Sequence, residues 1–130
     1  MAEYILMDLK DIQPSQLYIS SQKLENVLEW FTPSDYDSYD ALPIKSLNGK
    51  IIFTDGHTRA YATYIRGVKT IKVYWDEDEL DWNAYQICVD WCNSEGINSI
   101  EDLQARIIEP SEYEVLWLER CRNLYKELGI

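Results

Sequence analysis

Asp55, Gly56, His57, Thr58 and Arg59 put a carboxylate, a glycine, the only histidine, a hydroxyl and a guanidinium on five consecutive positions. They lie between the apolar, β-prone Ile51-Ile52-Phe53 and a helix-prone stretch from His57 to Arg66 that Gly67 closes. The polar cluster therefore falls on a first helical turn, where backbone N–H groups lack intrahelical acceptors and the helix dipole is positive. Such a turn attracts phosphate or carboxylate. Asp55 has a plainer role open to it as well, that of a helix N-cap with no ligand.

The elements that must position this turn can be read from pattern. Tyr4 to Leu9 reads as an opening strand and residues 11–15 as the turn that ends it. Ser20 or Ser21 caps a helix with Leu24, Val27, Leu28 and Phe31 at helical spacing, and residues 32–40 form a loop. Leu42 to Thr54 reads as a hairpin turned by Asn48-Gly49, whose second arm delivers the chain to Asp55. After the motif helix, Thr70 to Trp75 alternates as a strand, which implies a crossover, right-handed if the two flanking strands are parallel neighbours. From Trp82 the periodicity becomes helical, with one stripe at Ala84, Ile87, Cys88, Trp91 and Cys92 and another at Tyr113, Trp117, Cys121, Leu124 and Leu128. Between them Ser99 and Asp102 resemble a capping box that opens a shorter helix to Ile107. The expected fold is α/β (α+β): a small mixed sheet with a β-hairpin and a strand-helix-strand unit, plus a helical C-terminal extension. A single domain over residues 1–130 is expected, with a core at 1–80 and the extension at 81–130 packed on it.

Composition sets the outer limits. Hydrophobic residues make up 46% of the 130, enough for a real core. The formal net charge of −11 has the wrong sign for gripping phosphate backbones nonspecifically, so nucleic acid is not an expected partner. Met1-Ala2-Glu3-Tyr4 does not read as a leader, and no apolar run approaches membrane-spanning length, so a cytoplasmic location and no membrane contact are expected. Cys88, Cys92 and Cys121 are an odd set that suits buried thiols in a reducing compartment better than disulfides or a zinc site.

Leu42-Pro43-Ile44, the hairpin, Asp55 to Ala60 and the helix ending at Arg66-Gly67 resemble the ParB/sulfiredoxin-like domain, over roughly Tyr4 to Trp75. Ile12-Gln13-Pro14-Ser15 is similar to the first box of that family, whose members carry a glycine-started, arginine-containing phosphate motif at this strand-to-helix junction. In the DNA-partition members the motif runs Gly-Glu-Arg-Arg, so Gly56 and Arg59 match while His57 and Thr58 depart. In sulfiredoxin it carries Cys-His-Arg; Arg59 matches and His57 stands in place of the reactive cysteine. The free serine kinases carry Asp-Gly-His-His-Arg, which Asp55, Gly56, His57 and Arg59 match, Thr58 replacing the second histidine. Those kinases place an acidic residue just before the first helix, where this chain has Tyr18, Ile19, Ser20 and Ser21.

The resemblance implies a phosphate or nucleotide site at Gly56, His57, Thr58 and Arg59. Arg59 can form a charge-assisted fork, His57 can donate to a phosphoryl oxygen, and Gly56 lets the backbone approach closely. Asp55 can bind magnesium or hold His57 in one tautomer, which makes Asp55 and His57 the catalytic candidates. The expected function is binding of a nucleotide (ATP, ADP or CTP, with magnesium) or another small phosphorylated metabolite. A nucleotide- and magnesium-dependent phosphotransferase acting on a small metabolite and a non-catalytic protein-interaction module stay open as alternatives. The interaction module is favoured if Tyr or Trp side chains close the motif pocket.

Other features are open between function and packing. Tyr36 and Tyr39 can meet a ligand or pack locally, and Lys45, Lys50, Arg66, Lys69 and Lys72 can steer an anion or merely scatter over the surface. The acidic run Asp76 to Glu79 with Asp81 suits a solvated helix start. Trp82, Trp91 and Trp117 fit core packing, and a helical stripe left exposed would make a homo-oligomer face.

Overall fold

The computed structural model describes residues 3–130; Met1 and Ala2, part of the stretch read for a leader, lie outside them. The chain opens with β1 (Ile5–Asp8), a 3-10 turn at Leu9–Asp11, β2 (Ile19–Ser20) and α1 (Ser21–Trp30). β3 (Leu42–Leu47), β4 (Lys50–Phe53), α2 (His57–Ile65) and β5 (Thr70–Trp75) follow. The tail contains α3 (Trp82–Ser94), a 3-10 helix at Ile100–Ala105, β6 (Ile107–Ile108), α4 (Pro110–Tyr113), a π segment at Glu114–Leu118 and α5 (Glu119–Leu128). Among the described residues no helix is long and apolar enough to cross a membrane.

Local chemistry sets most of these boundaries. Ser20 is the N-cap of α1, and Asp81 caps α3 by accepting from Ala84 N–H at 3.0 Å. Asn48 and Gly49, at φ 49° and 82°, form the primed turn that matches the twist of β3 and β4. Ser99 and Asp102 make a capping box on the 3-10 helix.

The sheet departs from the crossover expectation. Its order is β1-β5-β3-β4, with β3 antiparallel to β4 and parallel to β5. The two strands flanking α2 are thus kept apart by β3 and run opposite ways, so the parallel-neighbour condition for a right-handed crossover is not met. The hairpin arm β3 sits inside the sheet, paired along one edge to β4 and along the other to β5, with Leu42 and Ile44 fully buried on one face. The outer edge of β4 is covered by residues 12–15: Gln13 N–H donates to Ile51 C=O at 2.8 Å, and Phe53 N–H donates back to Gln13 C=O at 3.0 Å.

One buried cluster runs from Leu9 to Trp117 and draws on sheet, α2 and tail. Ile97, Ile100 and Leu103 of the tail are fully buried, and at roughly 1.5–3 kcal/mol each their burial rivals the net stability of an ordinary domain. A two-residue parallel pairing, Ile19 with Ile107 and Ser20 with Ile108, also ties the tail to the start of α1. The sequence carries no signature of that pairing, and the stripe from Tyr113 to Leu128 reads as plain helix where the structure has a π segment at Glu114–Leu118.

The three cysteines are free thiols. Burial pushes Cys92 up to about 12, and Cys88 lies against Cys121, which together with burial raises the Cys88 thiol further. Among the described residues no three His, Cys, Asp or Glu side chains gather into a metal-binding group.

Candidate functional site

Gly56 makes the strand-to-helix turn possible. Its φ of +80° lies in the left-handed region, and a Cβ there would stand 2.8 Å from Leu42 Cδ2. Gly56→Ala is expected to cost about 2 kcal/mol, or a melting temperature roughly 7 °C lower, because backbone strain and a clash add. Gly49→Ala, at φ +82° with nothing within 4 Å, supplies the strain alone. A denaturation comparison of the two variants should show the larger loss at Gly56; equal losses would mean that the approach of Leu42 is immaterial.

Gly56, and not Asp55, is the N-cap of α2, and no side chain caps the helix. Asp55 is exposed, and its Oδ1 accepts only the adjacent Gly56 N–H, at 2.8 Å. The first intrahelical bond runs from Ala60 N–H to Gly56 C=O at 3.0 Å, so the amides of His57, Thr58 and Arg59 stand ahead of it as free donors.

His57 is 3% exposed and packs edge-on against Phe53, the ring centroids 5.8 Å apart. Its Nε2 accepts from Ser15 N–H at 2.9 Å. The tautomer is therefore set by the backbone of Ser15, with the proton on Nδ1, and not by Asp55. Burial lowers the His57 pKa to about 4, leaving the ring neutral near pH 7. Its Nδ1 is the one buried side-chain nitrogen or oxygen, among the described residues, that finds no partner in the protein. A buried N–H without an acceptor costs on the order of 1–3 kcal/mol, which a bound acceptor would offset.

Arg59 folds back over the turn. Its Nη2 lies 3.4 Å from where a Gly56 Cβ would stand, and Nη1 donates to Asp40 C=O at 3.1 Å. Among the described residues its guanidinium makes no ion pair.

Asp55, Gly56, His57, Thr58 and Arg59 share one cleft of about 460 Å³ with Gln16, Lys23, Asn26, Val27, Trp30 and Tyr113. Trp30 and Tyr113 line it without closing it. Lys23 and Arg59 face a single carboxylate, Asp55, so the cleft is locally cationic in a chain of net charge −11. Tyr113 comes from the tail: burial pushes its phenol up to about 12, and its oxygen accepts from Gln16 Nε2 at 3.0 Å, leaving the O–H able to donate.

Lys23, Asn26 and Trp30 escape the sequence reading because attention to the apolar stripe of α1 passes over the polar face. Tyr113 reads only as a core residue. A second hollow, of about 390 Å³, lies at the carbonyl end of α2 between Lys10, Tyr64, Val68 and Ile100. The helix dipole there opposes an anion.

The open alternatives resolve toward packing. Tyr39 is buried, its oxygen accepting from Lys72 N–H at 3.1 Å, and Tyr36 bonds to Thr70; neither lines the cleft. Lys45, Lys50, Arg66 and Lys72 donate to Asp76 C=O, Asn93, Leu28 C=O and Tyr36 C=O. None of these four, nor Lys69, lines the cleft. The acidic run divides: Asp76 is buried, accepting from Thr54 O–H at 3.0 Å and Asp78 N–H at 2.9 Å, and Asp81 caps α3. Glu77, Asp78 and Glu79 stay exposed.

No protein-family model matches the chain, and no curated protein sequence does. Protein Atu1540 from Agrobacterium tumefaciens is similar in structure, with a TM-score of 0.55 at 14% identity over 79% of this chain and 62% of that one. The chain thus spans less than two thirds of that protein, and the likeness is one of fold. Two further structures overlap with a TM-score of 0.48: a conserved hypothetical protein from Pyrococcus furiosus, at 21% identity over 59% of this chain and 34% of that one, and sulfiredoxin from Arabidopsis thaliana, at 13% identity over 58% and 86%.

Proposed function

We propose that this chain is a ParB/sulfiredoxin-like domain that binds a small phosphorylated ligand, a nucleotide or a phosphometabolite, at Gly56, His57, Thr58 and Arg59. The observation that carries the reading is the buried, unpartnered His57 Nδ1–H beside an uncapped helix start and a guanidinium free of any carboxylate. Phosphate supplies the acceptors that all three donor groups lack. Calorimetric titration with ATP, ADP, CTP, GTP and inorganic tripolyphosphate, with and without magnesium, tests it. Binding that weakens as salt rises is expected, and no heat from any of the five would refute the site.

One observation favours phosphoryl transfer as a second reading. Among the described residues Asp55 is the only carboxylate lining the cleft, and magnesium is commonly held by one or two carboxylates together with phosphate oxygens. Asp55 could hold the ion there, or take the proton of an acceptor hydroxyl as the terminal phosphoryl passes to that oxygen and the nucleoside diphosphate leaves. Phosphorus NMR of ATP mixed with candidate acceptors would show turnover, abolished in Asp55→Asn while binding persists.

A further inference from the structure

The two edges of the main sheet differ. Along β4, residues 12–15 of the same chain close the edge, whereas β1 ends the sheet on the other side, and among the described residues no strand pairs with its outer edge. One bond fixes which backbone groups it offers. Leu9 N–H donates to Lys69 C=O at 2.9 Å, continuing the register of Asp8 with Thr70, so Ile5, Met7 and Leu9 turn their N–H and C=O toward β5. Leu6 and Asp8, with Tyr4 just ahead of the strand, therefore turn theirs outward.

The side chains leave this edge open. Natural sheets blunt a free edge with lysine, proline or a bulge. Here Tyr4, Ile5 and Leu6 are 51%, 41% and 51% exposed, three large apolar side chains in a row. Single exposed apolar residues are ordinary, but a run of them beside unpaired backbone is a template for another strand.

We infer that β1 is a self-association surface, to which a second copy of this chain adds its own β1 antiparallel about a twofold axis at Leu6, joining the two four-stranded sheets into one. The pattern of residues supports the second copy as occupant, because β1 is complementary to itself in this register. Leu6 pairs with Leu6 of the second copy, and Tyr4 with Asp8 of the second copy, so all three outward-turned residues are used. On the opposite face Ile5 meets Met7 of the second copy, apolar against apolar. A slip that set Asp8 against Asp8 would oppose like charges.

Charge fits the same register. Lys72 Nζ lies 4.6 Å from the centre of the Tyr4 ring and donates to Tyr36 C=O at 2.7 Å, and among the described residues neither Lys72 nor Asp8 forms an ion pair. In the dimer Asp8 of the second copy comes beside that Tyr4 ring and faces the ammonium. The contact uses the same strand on both copies and the β4 edges are closed, so assembly stops at two. No residue of β1 lines the cleft, and the inference stands or falls apart from the anion site.

Sedimentation equilibrium of the full chain, up to about 1 mM, tests it, since so short a strand should associate in the range of tens to hundreds of micromolar. A monomer–dimer equilibrium is expected, with amide hydrogen exchange at Leu6 and Asp8 slowing as concentration rises. Leu6→Pro removes an outward N–H that β5 does not use, and Leu6→Glu sets two carboxylates against each other on the axis. Each should weaken the dimer at least about tenfold while circular dichroism stays that of the wild type. Should the proline variant fail to fold, the glutamate variant decides. A chain still monomeric at about 1 mM would overturn the inference. So would a dimer that survives Leu6→Glu, one that leaves exchange at Leu6 and Asp8 unchanged, or growth beyond two copies.

Discussion

Replacing Arg59 with alanine is expected to weaken binding of tripolyphosphate or ATP by about ten- to a hundredfold, the range of a charged hydrogen bond lost from a ligand. The guanidinium is well placed for this. It lies over Gly56, and among the described residues its one hydrogen-bond partner is the Asp40 carbonyl and no carboxylate pairs with it. A phosphate would accept from the donors still free and feel the whole charge. Because the bond to Asp40 is exposed, the melting temperature should hardly move, which keeps the binding loss from being a folding loss. Arg59→Lys should fall between the two, since an ammonium keeps the charge and loses the planar fork. Affinity unchanged in Arg59→Ala would place the anion elsewhere.

Stability should fall as pH drops from about 6.5 to about 4, and His57 should account for a loss of about 3 kcal/mol. The direction follows from proton counts. Above 6.5 the imidazole is neutral whether folded or unfolded, and His57 contributes no pH dependence. Between the two values the unfolded chain binds a proton at this ring while the buried ring does not, so acid favours unfolding. Below about 4 both forms are charged and the contribution levels off. Carboxylates also titrate in this window, so the measurement is a difference. Urea denaturation of the wild type and of His57→Gln, whose amide oxygen can still accept from Ser15 N–H, should give curves that converge as pH falls. Parallel curves would mean that His57 ionises freely in the fold.

The parts of this molecule that could be read from sequence are those set by near neighbours. Asn48-Gly49 specifies its hairpin, Gly67 ends the motif helix, and Ser99 with Asp102 starts a turn, because each makes its interactions within a few residues. The helix start at His57 is legible for the same reason. What could not be read depends on partners far along the chain. Nothing in Ile51 to Phe53 says that residues 12–15 will lie along that strand, so the Ser15 N–H that selects the His57 tautomer, 42 residues away, was out of sight. The inner place of β3 likewise depends on a distant partner, as in the pairing of Leu42 with Val73 of β5. The plainer role open to Asp55, that of a cap, was a local ambiguity: with Asp followed by Gly, either residue can begin the helix, and here the glycine does.

The pairing of Ser15 with His57 gives the amino-terminal strap a stake in recognition. Should residues 12–15 peel away from β4, the imidazole would be free to swap which nitrogen carries hydrogen, and a buried donor would become an acceptor that repels phosphate. On the anion-site reading, a stretch resembling mere connecting chain would govern whether the cleft welcomes its guest, and would do so without touching it.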